Sequence, residues 1–274
     1  MSAATSRPAT DRPAAPPPVT TTKPAINLPA RHILIVGATS SIARALALRL
    51  ARRGCNLVVA GRDDDEIVRL ASDLALRSRA AVHPMHLDAA NFGAHAPAIE
   101  RAEALLGGRL DGVVLAQGVM HPHEETARDP ALVLEMVHAN YASVVSLASA
   151  CADRLPDRTG FLCVVSSVAG DRGRASNPVY GSTKAAANAY LDGLRAGLFP
   201  RGVAVVCVRP GFVDTAMTWG LPGMFLVASP ERVARDIDRA ILRRRAVAYT
   251  PWFWRWIMLI IRVMPAWLFN RLRP

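Results

Sequence analysis

Six continuous apolar runs of strand length constrain this chain more than any other feature: His32–Val36, Asn56–Ala60, Ala81–His86, Gly112–Ala116, Gly160–Ser166 and Val203–Val208. A strand with one face in water alternates apolar and polar residues, whereas an uninterrupted run implies cover on both faces. Between the runs, apolar residues recur at helical spacing over Ser41–Arg53, Asp64–Arg77, Ala94–Leu106, Asp129–Leu155 and Ser182–Phe199. Strands alternating with helices join in parallel through right-handed crossovers, so the pattern predicts an α/β fold, a doubly wound parallel sheet with helices on both sides. Ligands of such sheets bind beyond the carboxyl ends of the strands. At 274 residues the chain suffices for one such domain and is short for two.

That domain is expected over residues 31–249, between a tail at 1–30 and a Trp/Arg-rich segment at 250–274. Met1–Pro29 is mostly Ala, Pro, Thr and Ser, and buries too little apolar surface to offset the entropy of ordering, so a disordered tail is expected. A targeting sequence is the competing reading, although the stretch lacks an apolar core and an amphipathic Arg pattern. The net charge of +11 is carried by the ends: +3 over residues 1–31 and +7 over 243–274, leaving +1 for the body. A nearly neutral body argues against a groove that tracks a nucleic-acid backbone, and basic ends argue for contact with an anionic surface. Cys55, Cys151, Cys163 and Cys207 are widely spaced, with no CxxC pair and no His cluster. Neither a disulfide framework nor a metal site is expected, and a reducing, cytoplasmic compartment suits them.

The first run leads directly into Gly37-Ala38-Thr39-Ser40-Ser41-Ile42-Ala43 and then a helix. A small-residue turn there can hold a pyrophosphate on the outward-pointing amides of the helix N-terminus; a tight turn chosen for packing alone is the alternative. The second run ends in Gly61-Arg62, where Arg62 offers a planar cation suited to a phosphate. A solvated Arg facing Asp63-Asp64-Asp65-Glu66 is the other reading. Asp88, after the third run, is a candidate ligand contact or an ordinary cap.

The strongest chemical signal is Tyr180-Gly181-Ser182-Thr183-Lys184, whose four-residue spacing sets Tyr180 and Lys184 on one helical face. Ser167 lies thirteen residues before Tyr180 at a strand end, Asn140 lies in the preceding long helix, and Pro210-Gly211 with Thr215 follows the next strand. This ordered set resembles the catalytic framework of the short-chain dehydrogenase/reductase family over residues 32 to about 242. The resemblance implies a Rossmann-type fold, a homo-oligomer and reduction of a ketone by a nicotinamide cofactor. Tyr180 would be the acid, Lys184 would lower its pKa and grip the nicotinamide ribose, Ser167 would bind the substrate oxygen, and Asn140 would hold a water linking Lys184 to solvent. It further implies that Gly37, Thr39, Ser40, Ser41, Ile42 and Gly118, with Tyr180 and Lys184, line the cofactor site, with Asp88 by the adenine. Pro210, Gly211 and Val213 would meet the carboxamide and Thr215 the phosphates. Arg62 in place of an acid favours NADP, with NAD the alternative. Two departures stand out: Ser41 and Ala43 replace the family's second and third glycines, and Leu115-Ala116-Gln117-Gly118 stands where Asn-Asn-Ala-Gly is usual.

Residues 250–274 hold four of the five tryptophans, interrupted by Arg255, Arg262 and Pro265, and the uncharged runs are too short to span a bilayer. An amphipathic C-terminal helix in the headgroup region of an anionic membrane is expected, peripheral to its inner face. Cover for the substrate pocket or a dimer interface is the alternative. Trp219 lies in Met217–Val227, an apolar stretch that in the family covers the substrate, so a lipophilic substrate is expected; Arg172 and Arg174 are candidates for meeting a phosphate at the pocket mouth. Together with the motifs, the Trp/Arg-rich end resembles the decaprenylphosphoryl-2-ketoribose reductase subgroup. That resemblance implies a lipid-linked 2-keto pentofuranose as substrate and a flavin oxidase as functional partner. A general reductase of lipophilic ketones and a non-catalytic cofactor-binding scaffold are the rival readings.

Overall fold

Each apolar run becomes a strand, with ends within two residues of those expected, and a seventh strand joins them: β1 His32–Val36, β2 Asn56–Gly61, β3 Val82–His86, β4 Gly112–Leu115, β5 Phe161–Val165, β6 Ala204–Pro210 and β7 Val247–Thr250. A computed structural model describes residues 31–220 and 223–272, so the tail expected over 1–30 lies outside the described residues. The helices are α1 Ser41–Arg52, α2 Asp64–Arg77, α3 His95–Leu105, α4 His123–Thr126, α5 Pro130–Val137, α6 Ser143–Ala152, α7 Pro178–Leu198, α8 Pro230–Leu242, α9 Trp254–Val263 and α10 Ala266–Leu272. The strands form one parallel sheet in the order β3-β2-β1-β4-β5-β6-β7. Strand order reverses between β1 and β4, which opens a crevice above their carboxyl ends.

Except at the edge strand β3, where only Met85 is buried, the uninterrupted apolar runs reflect two cores, one on each face. Ile33, Ile35, Leu57, Val59 and Val206 face α1, α2 and α8, while Leu34, Val36, Val58, Leu115 and Cys207 face α3, α6 and α7. Each such side chain contributes roughly 1.5–3 kcal/mol by leaving water. All four cysteines are free and buried.

Three departures from expectation position the site. First, α7 starts at Pro178, four residues ahead of the expected Ser182, because a proline at the first helical position has φ preset and no N–H to satisfy. Second, the expected helix over Asp129–Leu155 contains a π turn at His138–Ala142, which buries Asn140. The stretch Pro130–Ala152 is long and apolar enough to cross a membrane, yet Val144, Leu147, Ala148 and Cys151 within it belong to the core. Third, the C-terminal segment is two helices rather than one, with α9 and α10 separated at Pro265.

Candidate active site

A trench runs over the carboxyl ends of β1, β2, β4, β5 and β6. One half, a cavity of about 500 Å³, is lined by Gly37, Gly61, Arg62, Asp88 and Gly118. The other, about 300 Å³, is lined by Ser41, Ile42, Ser167, Tyr180, Lys184 and Pro210 together with Gly211, Val213 and Thr215. Thr39, Ser40 and Gly118 border both halves, so the cofactor-binding residues expected from the sequence fall along one continuous groove.

At the sheet crevice, Gly37 has φ +70°, and a Cβ there would stand 2.5 Å from the Gln117 amide nitrogen. The glycine is therefore required twice, by its backbone angle and by the approach of the β4 loop. Ser40 caps α1, its hydroxyl accepting from the Ala43 N–H at 3.3 Å. The amides of Ser41 and Ile42 precede any acceptor within the helix, and both residues line the trench, a ready site for a phosphate. Ser41, standing in place of a glycine, adds a hydroxyl donor at the same spot.

Arg62 is exposed and makes no ion pair among the described residues. Three of the four carboxylates in the acidic run that follows it are engaged elsewhere. Asp63 caps α2 by accepting from the Glu66 amide at 2.9 Å, Asp64 binds His86 at 2.8 Å, and Glu66 pairs with Arg44 and Arg69. Asp88 lines the trench and also accepts from the Ala90 amide at 2.9 Å, so it holds its own turn.

At the other end, Ser167 follows β5 and its hydroxyl accepts from the Ala169 amide at 3.1 Å, capping the 3-10 turn Val168–Gly170. That turn sits directly on α7, since a Cβ on Gly170 would fall 2.8 Å from the Lys184 carbonyl carbon and 2.9 Å from the Ala185 nitrogen. The close seating brings Ser167 to Tyr180. Lys184 Nζ lies 5.7 Å from the centre of the Tyr180 ring and donates to the Val165 carbonyl at 3.4 Å. Both residues are buried. Burial pushes the phenol up to about 12, with a hydrogen bond to Ser167 working against it, and lowers the Lys184 ammonium to about 8. The expectation that Lys184 lowers the Tyr180 pKa meets this opposition: among the protein's own groups, desolvation of the phenol outweighs other effects.

Asn140 is fully buried and its side chain acts as a strut. Its Nδ2 donates to the Val119 carbonyl at 2.8 Å and to Thr183 Oγ1 at 3.2 Å, and its Oδ1 accepts from the Val119 amide at 2.9 Å. A Cβ on Gly118 would meet Asn140 Oδ1 at 2.8 Å and Lys184 Nζ at 3.3 Å, so a side chain at this position would displace one or both of these groups.

Two expected substrate residues stand elsewhere. Arg172 does not line the trench: its Nη1 donates to the Ile261 and Met264 carbonyls at the end of α9, and its guanidinium stacks 4.0 Å from the centre of the Phe269 ring. Free carbonyls at a helix end attract a cation, and that attraction takes this one away from the mouth. Trp219 is 89% exposed and also absent from the trench wall, where its neighbours Met217 and Thr218 stand. Leu221, from the same expected cover, lies outside the described residues. Arg174 does line the cavity; its Nη2 rests 3.5 Å from Met258 Sδ, its buried Nε has no partner, and burial lowers its pKa.

Sequence reasoning missed two features. Asp171 accepts from Arg209 at 2.6 Å and from the Tyr249 hydroxyl at 2.8 Å, tying the turn after Ser167 to β6 and β7. Trp254 of α9 covers Gly211, where a Cβ would stand 2.0 Å from its indole, and packs on Phe212 and Phe225. A buried Asp171–Arg209 pair carries no local signal, since its members are 38 residues apart.

A family model described as short chain dehydrogenase matches residues 31–223. An uncharacterized oxidoreductase of Mycobacterium tuberculosis is 36% identical over 245 residues, covering 89% of this chain and 97% of that one. An uncharacterized oxidoreductase of Streptomyces coelicolor is 32% identical, covering 89% and 96%. Among solved structures, a short chain dehydrogenase from Burkholderia cenocepacia in complex with NADP superposes with a TM-score of 0.73 at 21% identity, over 80% of this chain and 94% of that one. The sheet order, the trench and the family match over well more than half the chain lead to one statement: this chain is an oxidoreductase and belongs to the short-chain dehydrogenase family.

Proposed function

We propose that the protein reduces a ketone to a secondary alcohol with NADPH. The observation that carries this reading is the convergence of Ser167, Tyr180 and Lys184 at one end of a groove whose other end holds an unpaired Arg62. NADPH, when bound, supplies the hydride. The protein's part is proton chemistry and positioning: Ser167 donates a hydrogen bond to the carbonyl oxygen, and Tyr180 delivers the proton that the new alkoxide needs. Lys184 stabilises the phenolate left behind, and the apolar walls at Val168, Phe212 and Met217 keep water from the reacting oxygen. Mixing the protein with NADPH and a panel of lipophilic ketones and following absorbance at the reduced-nicotinamide band tests it; no cofactor binding at all would overturn the proposal.

The pH dependence follows from the two buried groups. The reducing direction needs a protonated phenol, which persists below about 12, and a charged Lys184, which is lost as pH rises through about 8. Under saturating cofactor, kcat/KM for reduction is expected to fall above about pH 8. In Lys184→Arg, whose guanidinium stays charged, any residual activity is expected to lack that limb.

Cofactor choice rests on Arg62. Arg62→Glu is expected to raise the NADPH KM and lower the preference for NADPH over NADH by about 10–100-fold, the value of one or two hydrogen bonds to a charged group. Equal use of both cofactors by the unaltered protein would remove Arg62 from this role.

For the substrate, the proposal is the 2-keto pentofuranose of a polyprenyl phosphate, with a flavin oxidase as the enzyme that makes the ketone. Its support is the sequence likeness of the motifs and the Trp/Arg-rich end, together with the Arg174 cation on an otherwise apolar wall. That same apolar wall favours a second reading, reduction of uncharged lipophilic ketones. Turnover of such ketones with none of the lipid-phosphate keto-sugar would select the second.

A further inference from the structure

The helix α9 is apolar on two sides. Its inner side, Trp254 and Met258 with Ile257 and Ile261, packs on Val168 and Phe212 at the active-site wall. Its outer side continues from Trp252 through Trp256, Leu259, Ile260 and Val263 to Trp267 of α10, a stripe at helical spacing in which every side chain is about half or more exposed. A soluble protein seldom leaves so much contiguous apolar surface uncovered without a partner for it.

Charge identifies the partner. Neither α9 nor α10 carries an acid, and Arg255 and Arg262 flank the stripe. Beside it lies a groove of about 980 Å³ lined by Trp252, Trp256, Arg245, Arg255 and Arg262. None of these three arginines is in an ion pair among the described residues, whereas the groove's two carboxylates are engaged, Asp171 by Arg209 and Asp192 by Arg195. A twofold contact with a second copy through this face would set arginine against arginine with no acid to balance them. Tryptophans level with aliphatics and unpaired arginines instead match the boundary layer of an anionic bilayer.

We propose that the outer face of α9 and α10 docks on an anionic lipid surface, with the arginine groove taking headgroup phosphates. This does not depend on the ketone-reduction reading. On the inner side of α9, Phe225 packs 5.4 Å from the Trp254 ring, and the segment bearing it exposes Trp219, Leu226 and Val227.

The test uses the full chain and vesicles of phosphatidylcholine with or without phosphatidylglycerol. Co-sedimentation with the anionic vesicles is expected, weakening as salt rises, with little binding to phosphatidylcholine alone. The pair Arg255→Gln/Arg262→Gln is expected to lower the partition coefficient by about 30-fold, the effect of two basic residues near an anionic surface. Trp256→Ala/Trp267→Ala is expected to lower it at every salt concentration. NADPH binding and the melting temperature serve as folding checks, because all four positions lie outside the trench; a misfolded pair is replaced by its single variants. Unchanged partitioning in both pairs overturns the proposal. So does a shift from dimer to monomer in the tryptophan pair, which would make the face a subunit interface.

Discussion

Tyr180→Phe is expected to lower kcat/KM for reduction by about 10²–10⁴-fold, the span of a lost general acid. The ring remains, so its packing with Met136 and Ala169 is kept and the melting temperature should hardly move. The phenol is buried, which limits replacement of its proton from bulk solvent and argues for the upper part of that range. The decisive pattern is a fall in kcat with the KM for NADPH little changed, because the group lost acts on the reacting oxygen alone. A loss of less than about tenfold would mean that another acid protonates the alkoxide, and Ser167 would be the next residue to vary.

Gly170→Val acts on the same reaction from a residue that touches no reactant. Any Cβ at this position meets backbone atoms of α7 below 3.0 Å, and a helix backbone cannot give way as a side chain can. Relief requires the turn Val168–Gly170 to lift, which carries Ser167 away from Tyr180. A displacement of about 1 Å at a catalytic group costs on the order of 10²-fold in rate. Overpacking adds about 1–3 kcal/mol of destabilisation, visible as a lower melting temperature. Gly170→Val with full activity would show that Ser167 is positioned by its own cap to Ala169 and not by the seat on α7.

Strand placement was largely legible because a parallel sheet covered on both faces demands uninterrupted apolar runs, and β1, β2 and β4 have them. β7 escaped because it is an edge strand whose residues alternate between half-exposed and buried, and at four residues it is too short for its period to register. The catalytic residues were legible for a different reason: Tyr180 and Lys184 share one helix, so local spacing relates them. Arg172 and Arg174 show the limit of that reasoning. Two residues apart in one loop, they part ways because one meets the carbonyls at the end of α9 and the other meets Met258, contacts made 84–92 residues further along the chain. No local pattern separates them.

The contact between Trp254 and Gly211 joins the last helices to the loop that borders the catalytic cavity. The end of the chain is consequently not an exchangeable handle. Truncation ahead of Trp254 would remove the packing behind the chamber wall at Val168 and Phe212 as well as the exposed tryptophans, and a foreign segment fused in its place would not restore that packing. Variation in this segment is thus constrained from inside by the shape of the chamber and from outside by whatever surface it meets.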